Sequence, residues 1–521
     1  RLNGMFAFAL WDTRDQVLTL ARDPVGEKPL YIAQAAAGLA FASELSALRS
    51  VPWVDDGIDQ QALADYFSLC YVPAPRSILR GVTKLQPGTV IEYRVDAAGG
   101  APRGRSRRFW SMADVALDGI AQREVTPSTV EGLHDALRRA VGMRMAADVP
   151  LGAFLSGGLD SSLVVALMQE AAPTPVRTFT VAMDQASHDE ADHAAAVAAH
   201  LGTQHTTIPL AAEAGIDLAP GIATVYGEPY ADPSAIPTVL LAQLTRPHVT
   251  VALSGDGGDE IFGGYNRYTL GQAVWNRLGS LPPTARRAAA AALQAVPPDT
   301  WDALVGTAGR YTPLTPPRLA GDKLHKLAGV LPATTADELY LRLARAWQTP
   351  PVAGNTEGTG IPGGTPSAVS GLIDRMMLMD GLRTLPDQML VKVDRASMAA
   401  SLEVRVPLLD PDVIATAWRL PVSAKIDGGS GKIALRQILN TYVPRKLWDR
   451  PKMGFDPPIA QWLRGPLRPW AEDLLAPSAL RRDGNLDSHR IRRAWAEHRL
   501  GRRNHDYRLW AVLVYLSWRQ A

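Results

Sequence analysis

The segment Ala153–Ser162, which reads Ala-Phe-Leu-Ser-Gly-Gly-Leu-Asp-Ser-Ser, constrains this chain more than any other stretch. It joins an apolar run that begins at Val149 to a helical pattern that begins near Asp160. The Ser-Gly-Gly turn between them exposes backbone N–H groups, because small residues let an anion approach closely. The start of the following helix adds the positive end of its dipole. The segment therefore predicts a strand–turn–helix site for phosphate.

Side chains of the same segment are suited to nucleotide chemistry. Ser156, Ser161 and Ser162 supply hydroxyl donors, and Asp160 is suited to hold Mg²⁺ beside the phosphates. No Gly-Lys-Ser or Gly-Lys-Thr follows the glycines, so this is not a Walker loop. The segment resembles instead the pyrophosphate-binding loop of ATP pyrophosphatases, which split ATP into AMP and pyrophosphate. A tight turn without a ligand is the alternative interpretation of Ser-Gly-Gly alone.

Length and composition bound the class of protein. The chain has 521 residues, of which 46% are hydrophobic, so two or three domains with sizeable cores are expected. The net charge of +2 gives no reason to expect nucleic acid or membrane binding, and the apolar runs are too short for a membrane span. A single cysteine excludes an internal disulfide and fits a reducing cytoplasm. We therefore expect a cytoplasmic protein.

The first 110 residues are rich in short strand and turn signals. Strands are predicted over Ala7–Trp11, Val17–Ala21 and Leu39–Ala42, and a helix is predicted over Asp59–Ser68. The chain therefore opens with a β-rich layer.

Strands and helices alternate from Thr126, which is suited to cap a helix that begins with Pro127. This alternation predicts a parallel sheet covered by helices on both faces. Beyond Leu372 the chain is predicted to be mainly helical, with an amphipathic stretch around Tyr507–Trp518. The alternating segments are a strand at Leu151–Leu155, a helix from Asp160, a strand at Val176–Met183, a helix at Glu190–Leu201 that Gly202 caps, and strands at His205–Ile208 and Val249–Ser254.

Ligands of an open parallel sheet bind beyond the carboxyl ends of its strands. Three segments lie at such ends, namely Ser156–Ser162, Val181–Asp184 and Ser254–Glu260. The third combines three acidic residues with glycines and would repel ATP unless a cation such as Mg²⁺ intervenes. Asp160 and Asp259 are the predicted metal ligands. An acidic glycine loop is also often a plain solvated turn.

The ordered motifs resemble glutamine-hydrolysing asparagine synthetase, a carbon–nitrogen ligase with glutamine as amide donor. They are Ser-Gly-Gly-Leu-Asp-Ser-Ser, Ser-Gly-Asp-Gly-Gly-Asp-Glu and Glu-Val-Arg-Val-Pro-Leu-Leu-Asp at 403–410. The stretches Gly4–Asp12 and Asp23–Tyr31 resemble the latter half of that family's glutaminase domain. The match covers nearly the whole chain and is weakest between about 270 and 370.

The resemblance implies an α/β fold with two domains. Residues 1–112 would form the C-terminal part of a type 2 glutamine amidotransferase domain, which is β-rich and of the Ntn-hydrolase type. Residues 126–521 would form the synthetase domain, an ATP pyrophosphatase that resembles adenine nucleotide α-hydrolases and has a helical C-terminal part.

In that family the β-carboxylate of aspartate attacks the α-phosphate of ATP and releases pyrophosphate, and ammonia then converts β-aspartyl-AMP to asparagine. Lys432 matches the family's pyrophosphate lysine. Asp256 stands where the family has an acidic residue, often Glu, needed to form the acyl-adenylate. We expect Asp256 to orient the intermediate or to accept a proton from ammonia. For Lys432 and Asp256, a solvated surface residue is the alternative interpretation.

The resemblance also implies the rest of the site. Leu155 and Val181 would frame the nucleotide, and Ser254 and Gly255 would contact it. The segment Tyr226–Ser234 is a candidate for recognising the amino acid. The nucleotide-binding candidates are Leu155, Ser156, Gly157, Gly158, Asp160, Ser161, Ser162, Val181, Ser254 and Gly255.

The expected cofactors and partners are ATP, Mg²⁺, aspartate, and glutamine or ammonia, and a homodimer is compatible with the sequence. Ammonia made at one site must reach the other unprotonated, so an apolar passage between the domains is expected. Asp394-Arg395 and the Glu403–Arg405 segment are expected to form ion pairs that are structural at least as often as catalytic.

Glutaminase domains of this class use an N-terminal cysteine whose own amino group is the base. The chain begins with Arg1, and we expect it to be a fragment or a processed product. Cys70 is inside the chain and is expected to be a buried structural residue. The chain as given is therefore predicted to use free ammonia and not to hydrolyse glutamine.

Two alternative functions remain open. β-Lactam synthetase-like and other amidotransferases use the same chemistry on another carboxylate, and the loops alone do not separate them from asparagine synthetase. A non-catalytic nucleotide-binding module is the second alternative. The intact Ser-Gly-Gly-Leu-Asp-Ser-Ser loop and the presence of Lys432 argue against this second alternative.

Overall fold

The computed structural model describes residues 2–94, 103–123, 127–183, 188–278, 281–309, 320–354, 365–450 and 456–521. Its strands, in chain order, are β1 (Ala7–Asp12), β2 (Val17–Arg22), β3 (Tyr31–Ala35), β4 (Gly38–Ala42), β5 (Val82–Lys84), β6 (Thr89–Arg94), β7 (Arg103–Arg108), β8 (Leu151–Phe154), β9 (Arg177–Met183), β10 (Gln204–Leu210), β11 (Val251–Leu253), β12 (Glu403–Arg405), β13 (Ile426–Asp427) and β14 (Ser430–Gly431).

Helices make up most of the remaining described structure. They are α1 (Leu45–Arg49), α2 (Gln60–Leu69), α3 (Met112–Ala121), α4 (Pro127–Met145), α5 (Leu159–Ala171), α6 (His188–Leu201), α7 (Ala212–Leu218), α8 (Ile222–Tyr226), α9 (Ala235–Thr245), α10 (Gly258–Phe262), α11 (Asn266–Leu278), α12 (Pro283–Ala295), α13 (Pro298–Gly309), α14 (Ala320–Val330), α15 (Ala336–Ala344), α16 (Leu372–Met379), α17 (Leu390–Ala399), α18 (Pro411–Arg419), α19 (Val422–Lys425), α20 (Ile433–Leu439), α21 (Arg445–Trp448), α22 (Ile459–Arg464), α23 (Arg468–Leu474), α24 (Pro477–Asp483), α25 (Ser488–Arg499) and α26 (Asp506–Gln520). A π-helix at Asp380–Met389 connects α16 to α17.

The N-terminal region forms two antiparallel sheets. One has the order β1-β2-β6-β7 and the other β4-β3-β5. Leu20 of β2, Ile32 of β3 and Tyr93 of β6 lie in one buried cluster, so the two sheets pack against each other. The three strands predicted here are confirmed to within one residue at each end. The predicted helix is α2, and the Asp59 side chain caps it by accepting from the backbone N–H of Gln61 and Ala62.

A five-stranded parallel sheet forms the centre of the second region, in the order β10-β9-β8-β11-β12. The alternation of strands and helices therefore predicted its parallel character correctly. The chain builds outward from β8 in one direction through β9 and β10 and in the other through β11 and β12. The switch point of the sheet thus lies between β8 and β11, which is where such sheets bind ligands.

The prediction that the chain beyond Leu372 is mainly helical is confirmed, and the short strand β12 is an exception within that region. Most of that region is helical, but Glu403–Arg405 pairs in parallel with β11, and Val404 is buried. Three residues are too few to show a strand periodicity. Arg405 then fixes the strand to the end of α4, because its guanidinium donates to the backbone oxygens of Arg144 and Ala146 at 2.8 and 2.7 Å.

The structure also bears on the predicted amphipathic stretch near the C-terminus and on two predicted helix caps. The stretch predicted as amphipathic is α26, but Leu509 to Leu516 are all buried, so the helix is covered on nearly all sides. Gly202 ends α6 with a φ of +73°, as a left-handed cap requires. The predicted capping residue Thr126 lies outside the described residues.

A continuous hydrophobic core joins the two regions. Leu63 and Phe67 of α2 share one buried cluster with Ile236 of α9 and Leu513 of α26. Buried ion pairs also cross the boundary, and Arg144 contacts Glu27 at 2.9 Å. None of the helices in the described ranges has the length and hydrophobicity needed to span a bilayer.

We predict that Gly119→Ala destabilises the protein by about 1–3 kcal/mol. A Cβ at Gly119 of α3 would lie 2.6 Å from the Cβ of Trp418 on α18, so the two helices would have to separate. Thermal unfolding would measure the loss. The matched control is Gly132→Ala in α4, where nothing lies within 4 Å of the new Cβ. That control should gain up to about 1 kcal/mol from helix propensity. Equal effects of the two substitutions would contradict the prediction.

Candidate active site

The loops that follow β8 and β11 are in close contact at the switch point of the sheet. A Cβ at Gly255 would lie 2.7 Å from the backbone nitrogen of Ser161, and one at Gly258 would lie 2.7 Å from Oδ1 of Asp160. Side chains at these two positions would push the loops apart. The segments Ser156–Ser162 and Ser254–Glu260 therefore lie together at one edge of the sheet.

Glycine shapes the turn that follows β8. Gly157 has a φ of +72°, and a Cβ there would lie 2.8 Å from the backbone nitrogen of Ala194 in α6. Gly158 is the N-cap of α5 and has no side chain with which to satisfy the first N–H groups of the helix. Those groups and the positive end of the helix dipole are suited to bind an anion.

The serines of this turn differ in position. Ser156 is exposed, and its hydroxyl lies 3.0 Å from that of Ser161. The Ser156 hydroxyl also accepts from the Gly158 backbone N–H at 3.3 Å. Ser162 is fully buried one residue further along α5, so its hydroxyl lies beneath the surface of the turn. Ser156 and Ser161 are thus the hydroxyls at the loop surface.

The remaining predicted nucleotide residues line the same edge of the sheet. Leu155 is buried and donates its backbone N–H to the oxygen of Phe179 at 2.9 Å. Val181 of β9 and Ser254 after β11 are also buried. Asp184, at the end of the third predicted segment, lies outside the described residues.

Lys432 brings the two predicted metal ligands together. Its Nζ donates a hydrogen bond to Oδ2 of Asp160 and lies 2.7 Å from Oδ1 of Asp259. Lys432 is the N-cap of α20 and has a φ of +60°, which is uncommon for a residue with a side chain. A Cβ at Gly264 would lie 2.1 Å from Cε of Lys432 and 2.0 Å from Oδ1 of Asp259, so only glycine fits beside this contact.

The environment of Lys432 keeps it charged. Burial alone would lower the pKa of Lys432, but the carboxylates of Asp160 and Asp259 raise it above its ordinary value. The ammonium group therefore stays protonated at neutral pH. Placed beside the phosphate turn, it is suited to neutralise negative charge on a bound polyphosphate.

Asp160 and Asp259 also fit Mg²⁺. Carboxylate oxygens from both residues converge within reach of one cation, here the Lys432 ammonium. Within the described ranges, no three His, Cys, Asp or Glu side chains form a cluster that would hold a metal. A pair of carboxylates suits Mg²⁺, which usually completes its shell with water and substrate phosphates.

The acidic loop after β11 holds two further carboxyl groups in different environments. Asp256 is half-buried and accepts a hydrogen bond of 2.5 Å from the Ser254 hydroxyl. Glu260 is buried and accepts one of 2.5 Å from Tyr265. Burial, followed by the charge of Asp259, raises the pKa of Glu260 to about 7. Glu260 was not predicted as a site residue, although it directly follows Asp259 in the sequence.

Sequence reasoning also missed two basic residues near this loop pair. Arg450 donates to the backbone oxygen of Ser156 at 2.8 Å. Burial alone would lower the pKa of Lys392 on α17, but the charges of Asp232, then Asp256 and Glu260, raise it. Neither residue lies in a motif, so only the folded chain shows that they are near the site.

The ion pairs expected at Asp394-Arg395 and Glu403–Arg405 are present. Asp394 contacts Lys28 of the N-terminal region at 2.7 Å, and Arg395 donates to the backbone oxygen of Ser43. Arg405 contacts Glu403 at 2.6 Å. The contacts of Asp394 and Arg395 therefore connect α17 to the N-terminal region, whereas the Glu403–Arg405 pair lies within β12.

A parallel sheet with a serine–glycine phosphate turn at its switch point defines an ATP-pyrophosphatase type of domain. The asparagine synthase family matches residues 132–520 of the chain, and the glutamine amidotransferase domain family matches residues 1–110. The chain therefore belongs to the asparagine synthase family, and it is a carbon–nitrogen ligase.

Relatives match along nearly the whole chain. A protein of Mycobacterium bovis named putative asparagine synthetase [glutamine-hydrolyzing] is 36% identical, over 99% of this chain and 76% of its own length. Asparagine synthetase [glutamine-hydrolyzing] 1 of Bacillus subtilis is 30% identical, over 99% of this chain and 77% of its own length.

We predict that Glu260→Gln changes how stability depends on pH. The ordinary pKa of Glu is 4.5 and that of Glu260 in the folded protein is about 7, so the folded state binds the proton more tightly. Wild-type stability should therefore fall as pH rises from about 4.5 to 7, because ionisation favours the unfolded chain there. Glutamine keeps an acceptor for Tyr265 and removes the proton.

Melting temperatures at pH 5 and pH 8 would test this prediction. The wild type should lose more stability over this interval than Glu260→Gln does. The exposed Glu131→Gln in α4 is the control and should keep the wild-type slope. If the melting temperature of Glu260→Gln changes with pH as much as that of the wild type, Glu260 does not hold a proton in the folded state as predicted.

Proposed function

We propose that this chain catalyses ATP-dependent formation of asparagine from aspartate through an acyl-AMP intermediate. The observation that carries the proposal is the convergence of the turn at Ser156–Ser162, Lys432, and the carboxylates of Asp160 and Asp259. The relatives named glutamine-hydrolysing asparagine synthetases support the choice of acceptor.

In the first step, an oxygen of the aspartate side-chain carboxylate attacks the α-phosphorus of ATP. The bond from that phosphorus to the oxygen bridging the α- and β-phosphates breaks, and pyrophosphate leaves with the electron pair. Negative charge develops on the leaving group, and the N–H groups that begin α5 and the Lys432 ammonium stabilise it. Asp160 and Asp259 would hold Mg²⁺, which supplies further charge neutralisation when bound.

In the second step, ammonia attacks the acyl carbon, and AMP leaves with the bridging oxygen. The attacking nitrogen must lose a proton. Asp256 lies in the loop beyond β11, held by the Ser254 hydroxyl, and we assign it to accepting this proton or to orienting the intermediate. The other predicted residues of the turn and of β9 frame the nucleotide.

Free ammonia is the proposed nitrogen source for these 521 residues. The single cysteine, Cys70, is buried, and burial together with the charge of Asp232 raises the pKa of its thiol to about 12. A thiol in this state is a poor nucleophile.

We propose that the chain divides into two domains, residues 1–112 and residues 126–521. The apolar ammonia passage, the homodimer and the cytoplasmic location stay predictions.

Oxygen transfer tests the acyl-AMP intermediate. Aspartate labelled with ¹⁸O in its side-chain carboxylate should place one ¹⁸O atom in the phosphate of AMP when incubated with the protein, ATP, Mg²⁺ and ammonia. Mass spectrometry of the AMP measures this. Unlabelled AMP, or ADP with ¹⁸O in orthophosphate, would contradict the mechanism.

A parallel incubation tests the nitrogen source. With glutamine in place of ammonia, the protein should yield no glutamate.

Removing the Lys432 charge tests the role of this residue in the first step. Lys432→Met should lower kcat for pyrophosphate release by about 10²–10³-fold, the typical effect of losing one group that stabilises transition-state charge. Lys432→Arg should retain more activity than Lys432→Met. Lys446→Gln, which changes an exposed lysine, is the matched control. Turnover by Lys432→Met within threefold of the wild type would refute the assignment.

A further inference from the structure

Lys392 lies beside the loop at Tyr226–Ser234 and has no assigned role. It is on α17, and 12% of its side chain is exposed. Its Nζ donates to the Ser234 hydroxyl at 3.1 Å and lies 4.0 Å from Oδ2 of Asp232. In the part of the chain that the structure describes, Ser234 supplies the one oxygen within hydrogen-bond distance of Nζ. The Nζ of Lys392 also lies 4.0 Å from Sδ of Met389, a weak acceptor. An ammonium group has three donors, so Lys392 keeps a donor for a further oxygen atom.

The loop that holds Lys392 is itself fixed. Asp232 Oδ1 accepts from the backbone N–H of Ser234 at 2.9 Å and from its hydroxyl at 2.6 Å. Tyr226 and Tyr230 stack with their ring centres 4.4 Å apart, and both donate to backbone oxygens near Lys392. The positions of Ser234 and Asp232 are therefore set before any ligand binds.

The charges around Lys392 are mostly negative. Burial alone would lower the pKa of Lys392, but Asp232, Asp256, Glu260 and Asp456 raise it above its ordinary value. Asp256 and Glu260 belong to the acidic loop of the active site, so the charge of that loop acts on Lys392. A ligand that brings one negative and one positive group would complement this mixture of charges.

We propose that Lys392, Ser234 and Asp232 form the subsite for the α-amino-acid end of the acceptor. Lys392 and Ser234 bind its α-carboxylate, and Asp232 binds its α-ammonium group. The side-chain carboxylate then points toward Asp256 and the nucleotide. This inference rests on the proposed function, because it requires an acceptor whose other carboxylate is activated by ATP.

If Lys392 binds the α-carboxylate, an acceptor that lacks this group should not depend on Lys392. β-Alanine is aspartate without the α-carboxylate. Lys392→Met should lower kcat/KM for AMP release with aspartate by about 10- to 100-fold, as expected for loss of a charged hydrogen bond. With β-alanine the same substitution should cost less than threefold, because the partner of Lys392 is absent.

Two further variants separate binding from folding. Lys392→Arg keeps the charge and should recover part of the activity with aspartate, while Lys323→Gln changes an exposed lysine of α14 and should behave as the wild type. The KM for ATP should stay within threefold in Lys392→Met. If β-alanine supports no turnover, a raised KM for aspartate with an unchanged KM for ATP decides for the inference.

Equal losses with aspartate and β-alanine, or equal rises in both KM values, would overturn the inference while leaving the proposed function intact. If the wild type releases no AMP with aspartate, the proposed function is wrong and the inference falls with it.

Discussion

The contact of Lys432 with Asp160 and Asp259 is the interaction on which the rest of the site depends. It joins the starts of α5, α10 and α20, which come from distant parts of the chain. Two carboxylates this close would repel each other strongly in a partly buried site, and the lysine offsets that repulsion. The glycines at 255, 258 and 264 make the approach sterically feasible. The protein thus holds both signs of charge at the edge of the sheet where a metal–polyphosphate substrate would bind.

The segment Tyr226–Ser234 connects this site to the N-terminal region. Near one end, Glu228 forms a buried ion pair with Lys84 and accepts from the hydroxyl of Tyr31 at 3.0 Å. At the other end, Ser234 contacts Lys392. A buried ion pair adds little net stability but fixes geometry, because neither partner can leave without stranding a charge. The N-terminal sheets therefore help to position the loop proposed to bind the acceptor.

The sequence predicted the parts of the fold that repeat a local pattern. Strands β8 to β11 and helices α5 and α6 follow from apolar runs separated by glycine and polar turns, and their alternation predicted the parallel sheet. β12 was missed because three residues carry no periodicity. The burial of Ser162 was missed because the motif does not show which hydroxyls face the turn.

The candidate site was predicted where residues belong to motifs. Asp160, Asp256, Asp259 and Lys432 were all named from their motifs, and the structure brings Asp160, Asp259 and Lys432 together. Lys392 was not predicted, because its position depends on the packing of α17 against a loop some 160 residues away in the chain. The left-handed backbone of Lys432 also has no signature in the sequence.

A crystal structure with α,β-methylene-ATP and Mg²⁺, which together mimic the substrate but cannot be cleaved between the α- and β-phosphates, tests the central claim most directly. We predict that the β- and γ-phosphates contact the backbone N–H groups of the turn at Ser156–Gly158 and the Nζ of Lys432. An analogue bound with its base or ribose against that turn, and its terminal phosphates elsewhere, would contradict the account.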